Sequence, residues 1–386
     1  MIALSIKGCN GIGDLLLVEQ PLDAFIIQAY NEAYMVAVDL FCGVGGLTCG
    51  LEEAGIETAV GIDVDPHCRY PYETNTDADF VKENISELSS ERVANFFGES
   101  NSRILAGCAP CQPFSNLNNG ENTADWDDWA LLDEFRRLVW DLEPEVVTME
   151  NVTELRNHRV YSRFVDTLFK LGYDISSELV NCPDYGVPQK RHRLVLLASK
   201  FGPIELNGPT HDPDNHPTVR GTIGNGAVEQ LESDEESNTD RLHKGRKFEE
   251  INLERIRQSK PGGTWRDWDE ELRLDCHKKE SGSSYDSVYG RMKWDEPAPT
   301  ITTQFYNYGS GRFGHPEQDR ALTLREGAML QTFPEDYEFV APDEEVHLKR
   351  VGRLVGNAVP VKLAKSIGNT ITQHLERNDV TTTTAR

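Results

Sequence analysis

Val36-Ala37-Val38-Asp39-Leu40-Phe41-Cys42-Gly43-Val44-Gly45-Gly46-Leu47 carries the signal from which the fold is read. An apolar, strand-like run from Val36 to Phe41 ends in a glycine-rich turn, and a helix-compatible stretch, Leu47–Ala54, comes next. Glycines let a backbone approach a ligand closely and leave the N–H groups of the first helical turn facing it. Twenty residues after Gly43, Asp63 closes a second apolar run, where a carboxylate can accept hydrogen bonds from ribose hydroxyls. The combination points to a nucleotide-like cofactor. A full dinucleotide fingerprint needs Gly or Ala at position 48; Thr48 stands there, which weakens a nicotinamide reading. A tight strand-to-helix turn without a ligand is the plainer alternative.

Outward from this turn, strand-like runs occupy Thr58–Asp63, Arg103–Gly107, Val146–Met149 and Leu194–Ala198, with helix-compatible segments at Trp126–Leu142 and Arg159–Leu171. Strand and helix alternating at this spacing predict a parallel α/β sheet with ligands at the carboxyl ends of its strands. The texture changes after Lys200, where residues 202–240 are rich in Gly, Pro, Asp, Asn and Ser. Glu229 to Asp240 holds six acids and no base, and Arg241 to Lys260 holds seven Lys or Arg against three Glu. A solvated acidic loop followed by a basic surface is expected. The aromatics beyond, such as Trp265, Trp268 and Tyr289, suit a nucleic-acid surface or an ordinary small-domain core equally well. Residues 1–34 are unlike the chain from Met35 onward in texture. Met35 as the true start and an added surface arm are equal readings.

A chain of 386 residues is long enough for two domains. Its 64 acids against 39 Lys and Arg give a net charge of −25, which excludes a generally basic nucleic-acid binder but not a basic cleft on an acidic body. The same excess suits a protein that works in concentrated salt. Eight Cys without a paired CxxC…CxxC pattern exclude a disulfide scaffold, make a metal site unexpected and suit a reducing cytoplasm. No run of 18 apolar residues is present and no secretory leader is read, so no membrane span is expected.

Five further motifs follow along the chain. Gly107-Cys108-Ala109-Pro110-Cys111-Gln112-Pro113-Phe114-Ser115 places Cys111 in a Pro-flanked loop after a strand, where a thiolate can act as a nucleophile. A redox pair, half a zinc site or two buried thiols are the alternatives for Cys108 and Cys111. Met149-Glu150-Asn151-Val152 sets a carboxyl at the next strand tip, where a partly buried Glu can hold and donate a proton. Gln189-Lys190-Arg191-His192-Arg193 opens another strand, and alternation puts Arg191 and Arg193 on one face, as a phosphate- or base-contacting pair or a solvated edge. Near the C-terminus, Arg320–Pro334 and Val355-Gly356-Asn357-Ala358-Val359-Pro360 are each weak alone.

In this order these motifs resemble those of the cytosine-C5 DNA methyltransferases, over about Val36 to Leu375. The resemblance implies a mostly parallel, Rossmann-like α/β methyltransferase sheet with a second, smaller DNA-recognition domain. It divides the chain into 35–200 for catalysis and cofactor, 201–344 for target recognition, and 345–386 returning to the catalytic domain. It implies S-adenosyl-L-methionine as cofactor, cradled by Phe41, Gly43, Gly45 and Gly46. Asp63 would bind the ribose and Val64 would pack on adenine. Asn84 would meet the adenine amino group, where the family usually has Asp, and Asn357 and Ala358 would close the site. Cys111 would add to cytosine C6, Glu150 would relieve charge at N3, and Arg193 would bind O2 with Arg191 in support. Pro110, Gln112 and Gln189 would contact the flipped base or its loop. Met329 stands where the family commonly has Arg, so a supporting ion pair is expected to be missing.

The resemblance implies duplex DNA as substrate, a cognate restriction endonuclease as candidate partner, a monomer, and a cytoplasmic setting. Arg241, Lys244, Arg246 and Lys247 are candidates for phosphate contact, with the acidic loop turned away from DNA. Methylation of tRNA is the main alternative, but the Cys-Phe-Thr tripeptide typical of those relatives is absent. A non-catalytic DNA-binding relative is disfavoured because Cys111, Glu150, Arg191 and Arg193 are all in place.

Overall fold

The computed structural model describes residues 35–110, 130–279 and 286–384, with side chains as far as 378. The strands are β1 (Met35–Leu40), β2 (Glu57–Asp63), β3 (Asp79–Lys82), β4 (Ser102–Gly107), β5 (Val146–Asn151), β6 (Asp174–Asn181), β7 (Gln189–Lys190), β8 (His192–Ser199) and β9 (Ala298–Pro299). Seven of them form one sheet in the order β3-β2-β1-β4-β5-β8-β6. Helices α1 (Gly46–Glu53), α2 (Arg69–Asn75), α3 (Ser90–Phe96), α4 (Ala130–Leu142) and α5 (Arg159–Lys170) are interleaved with its strands. The strand order reverses between β1 and β4, which opens a crevice beyond their carboxyl ends.

The parallel α/β expectation holds for four pairings, β3:β2, β2:β1, β1:β4 and β4:β5. It does not hold for β8, which runs antiparallel to both β5 and β6. The reason is the connection. A 3₁₀ turn at Cys182–Tyr185 and the short β7 join β6 to β8, and a link without a crossover helix returns the chain antiparallel. Strand β6 itself escapes the sequence reading. Asp-Ile-Ser-Ser-Glu-Leu-Val-Asn is a half-wet edge strand with little apolar character.

One face of the sheet packs on α4 and α5 through residues such as Phe135, Leu138 and Phe164. The other receives α1 and the C-terminal helix α10 (Val361–Thr384), numbered after α6 (Val219–Ile223), α7 (Glu250–Gln258), α8 (Leu324–Leu330) and α9 (Leu348–Asn357). Small residues let α1 and α10 touch: a Cβ on Gly50 would lie 2.4 Å from the Cβ of Ala364.

Helix α8 is buried at all seven positions. Thr323 and Glu326 cap its N-terminus reciprocally, and Glu326 also takes both guanidinium arms of Arg320 at 2.7 Å. Met329, expected to leave an ion pair missing, packs into the apolar core instead. The charge stretches of 229–260 also differ from expectation. The acidic and basic segments fold against each other through a bridge between Glu236 and Lys244. Lys244 pairs with Glu236, Lys247 with Asp234, and Arg241 donates to the carbonyls of Ala341 and Pro342. Two of the four candidate phosphate contacts, Lys244 and Lys247, are thus paired with acids of the preceding segment, because opposite charge runs close in sequence attract each other.

Candidate active site

The turn after β1 is held in a backbone conformation that side chains seldom adopt. Phe41 has φ 59°, and Gly43 and Gly45 have φ 54° and 89°. A side chain on Gly43 would point into open space, and one on Gly46 would strike the Val359 carbonyl at 2.3 Å, so Gly46 lets the C-terminal segment approach the turn closely. Behind the turn, Asp39 is fully buried and accepts from Thr48 Oγ1 at 2.8 Å, and Tyr72 lies within 2.8 Å of that hydroxyl. Thr48, noted only as a departure from a dinucleotide fingerprint, therefore anchors the turn. Burial raises the Asp39 pKa to about 7, opposed by the Thr48 hydrogen bond and assisted by the nearby Asp63 charge.

Asp63 at the tip of β2 accepts from Gly43 N at 3.0 Å and from Asp65 N at 2.9 Å. Burial raises its pKa, and these backbone donors oppose the shift. Val64 beside it is 63% exposed although it lines the cavity, which makes it an open apolar platform. Asn84 lines the same end and caps its own turn by accepting from Ser86 N at 3.1 Å. Asn357 and Ala358, at the end of α9, form the facing wall.

At the other end, β5 delivers Glu150 into the cavity, 2% exposed. Cys108 Sγ donates to its Oε2 at 2.9 Å, and Arg193 Nε of β8 lies 2.8 Å from its Oε1. Oε1 has no aligned hydrogen-bond donor among the described residues, so the Arg193 contact is ionic and acceptor capacity remains. Asn151 ties this strand to the loop after β4 by donating to Ala109 O at 2.9 Å. Pro110 lines the cavity where the description of that loop ends. Cys111 and Gln112 lie outside the described residues.

Arg191 falls in the break between β7 and β8, not within one strand with Arg193, yet both side chains line the cavity. Its guanidinium donates to the carbonyls of Ile301 at 3.2 Å and Ala358 at 3.4 Å, and its Nε is buried without a partner among the described residues. Burial, with Arg193 close by, pushes its pKa down to about 10. Gln189 corrects the sequence reading. It is fully buried, donates to Leu330 O and Gln331 Oε1, accepts from Ile301 N, and is absent from the cavity wall. An amide with such partners ties β7 to the end of α8 and to Ile301, and its hydrogen-bonding groups are taken up there.

These groups surround one cavity of about 620 Å³, which extends from Val64 to Glu150 and is also lined by Thr300–Thr303 beyond β9. That volume suits a nucleoside-sized ligand and a second small ring together. The family described as C-5 cytosine-specific DNA methylase matches residues 35–373.

The chain belongs to that family.

It is a DNA cytosine-5 methyltransferase. The Type II methylase M.HgiDII of Herpetosiphon aurantiacus is 50% identical over 342 residues, covering 88% of this chain and 95% of the relative. The Type II methyltransferase M1.HphI of Haemophilus parahaemolyticus is 30% identical over 361 residues, covering 91% and 89%. In fold, a candidate DNA modification methyltransferase from an E. coli prophage superposes with a TM-score of 0.65 at 22% identity, over 89% of this chain and 99% of that one. A DNMT2 variant from Spodoptera frugiperda gives 0.56 at 19% identity, over 88% and 99%.

Several residues of this methyltransferase's cavity were not singled out by sequence reasoning. Cys108 was weighed only as a partner of Cys111, and Thr300–Thr303 and Arg353 not at all. A Thr-rich strand end and a helical Arg carry no chemical signature until the fold sets them on a cavity wall. No helix among the described residues is long and apolar enough to cross a membrane.

Proposed function

We propose that the methyltransferase uses S-adenosyl-L-methionine to methylate C5 of a cytosine flipped out of duplex DNA, through a covalent bond between Cys111 and C6. The observation that carries this reading is the buried Glu150, held by Cys108 and Arg193 at one end of the cavity whose other end offers Asp63 and Val64. The adenosine end fits the chemistry of its lining. Asp63 retains lone pairs for ribose hydroxyls, Val64 offers a flat apolar contact for a purine, and the open space at Gly43 admits the methionine chain. When bound, the cofactor supplies an electrophilic methyl group on a sulfonium.

The protein's own residues then answer the weakness of cytosine C5 as a nucleophile. Addition of the Cys111 thiolate at C6 makes C5 enamine-like and moves negative charge to N3 and O2. Glu150 holds a proton at N3, and Arg193 compensates the charge at O2. Arg191 keeps Ile301 and Ala358 in place around them. After methyl transfer, a water molecule takes the C5 proton, and the electron pair left behind expels the Cys111 thiolate and restores the ring. Extrusion of the base costs a few kcal/mol, which cavity contacts must offset. The names of the related proteins support duplex DNA as acceptor and a restriction endonuclease as functional partner.

The test is transfer of a labelled methyl group to duplex DNA, with tRNA as the competing acceptor. Duplex label above tRNA label supports the proposal. Glu150→Gln should lower kcat by about 10²–10⁴-fold while S-adenosylhomocysteine still binds. Transfer to tRNA alone would overturn the assignment of acceptor.

A further inference from the structure

Arg353 of α9 and Asp65 beyond β2 lie 288 residues apart in sequence, yet Arg353 Nη2 donates to Asp65 Oδ2 at 2.5 Å. Both line the adenosine end of the cavity. Between Asp63 and Asp65 stands the exposed Val64. The Asp63 side ties this platform to the glycine turn through Gly43 N. On the other side, Asp65 Oδ1 accepts from His67 N at 3.0 Å, and Oδ2 is taken by Arg353. One turn earlier on α9, Arg350 reaches to within 3.4 Å of His67 Nδ1 and is braced by Glu344 Oε2 at 3.2 Å. The same helix ends in Gly356 and Asn357, on the opposite wall. The ion pair therefore spans two cavity walls contributed by distant parts of the chain.

The Arg353 side chain is 44% exposed and that of Asp65 18%. A pair this wet adds little to global stability, so its consequence is local geometry. It also offsets charge, because Asp63, Asp65 and Glu83 all line this end.

We propose that Arg353 is a positioning residue for the cofactor: it clamps Asp65, holds the Val64 platform against α9, and sets affinity for the adenosine half without taking part in methyl transfer. The proposal rests on the reading that the cavity holds S-adenosyl-L-methionine. Its test is calorimetric binding of S-adenosylhomocysteine and of 5′-methylthioadenosine to the full chain, for wild type, Arg353→Ala, Asp65→Asn, the double variant and Arg353→Lys. Each single loss should raise Kd for both ligands about three- to tenfold, and the double variant should be no worse than the weaker single, because one interaction is removed twice. Arg353→Lys should recover part of the affinity at low salt and lose it as salt screens the pair. At saturating cofactor, kcat should stay within about twofold of wild type, and the thermal midpoint of the ligand-free protein should not move. Unchanged Kd, fully additive losses, or a fall in kcat with Kd intact would overturn the proposal. Failure of the wild type to bind either ligand would instead overturn the cofactor reading itself. Should Arg353→Ala fold poorly, Asp65→Asn and Arg353→Lys carry the same comparison.

Discussion

Asp39 is a carboxyl where water does not reach it, and its proton is therefore coupled to folding. Its pKa in the fold is about 7, against about 3.9 in an unfolded chain. Between those values the native state binds the extra proton, so this group lowers stability as pH rises, with the full cost of roughly 4 kcal/mol reached above pH 7. Asp39→Asn should flatten that part of the stability–pH profile, measured by urea unfolding from pH 5 to 9. Thr48→Val removes the hydroxyl that Asp39 accepts from, and should destabilise by about 1–3 kcal/mol. If stability falls from pH 5 to 8 as steeply in Asp39→Asn as in the wild type, the account of this carboxyl is wrong. At this scale the sequence was informative where chemistry demands a residue type. Glu150, Asp63 and Arg193 were named, and they line one cavity. It was silent where contact makes the role. Nothing in the residues around Thr48 announces a hydrogen bond to a strand nine positions earlier.

Elements carry the next level of control. Helix α8 is a buried bracket between α6 and α9, fixed by the fully buried Arg320–Glu326 pair. Burial opposes the charge on Glu326, but the Arg320 guanidinium overcomes it and holds the pKa at about 2. A carboxyl depressed in this way contributes stability that is present above the unfolded value of about 4.3 and is lost as pH falls towards 2. Arg320→Met, which leaves Glu326 without its partner, should cost about 3–5 kcal/mol by urea unfolding. A loss below about 1 kcal/mol would mean that the pair does not hold the bracket. The strands β1, β2, β4, β5 and β8 were legible because each is an apolar run inside a covered sheet. The direction of β8 was not, because a run of apolar residues has no polarity, and only the tight return from β6 sets it. The edge strand β6 lacked the apolar signal altogether.

Over the whole molecule, a charge of −25 surrounds an ordinary apolar core. Self-repulsion of that surface should make the native state more stable from low to multimolar KCl. Thermal unfolding across that range measures it, and greatest stability at the lowest salt would contradict the expectation. Five of the six motifs meet on the wall of one cavity, although the chain is read through two regions of very different composition. That convergence was implied by resemblance, whereas the closing of acidic and basic segments 229–260 on each other was not, since composition gives charge but not pairing.

Under the proposed mechanism, catalysis passes through a transient bond between the Cys111 sulfur and a pyrimidine ring. A duplex bearing 5-fluorocytosine at the position that bisulfite sequencing identifies cannot lose its C5 substituent, so the bond should persist. With S-adenosyl-L-methionine present, the protein should migrate as a covalent DNA complex that survives denaturation, and Cys111→Ser should give none. Absence of that complex from wild-type protein that binds both S-adenosylhomocysteine and the duplex would contradict the account.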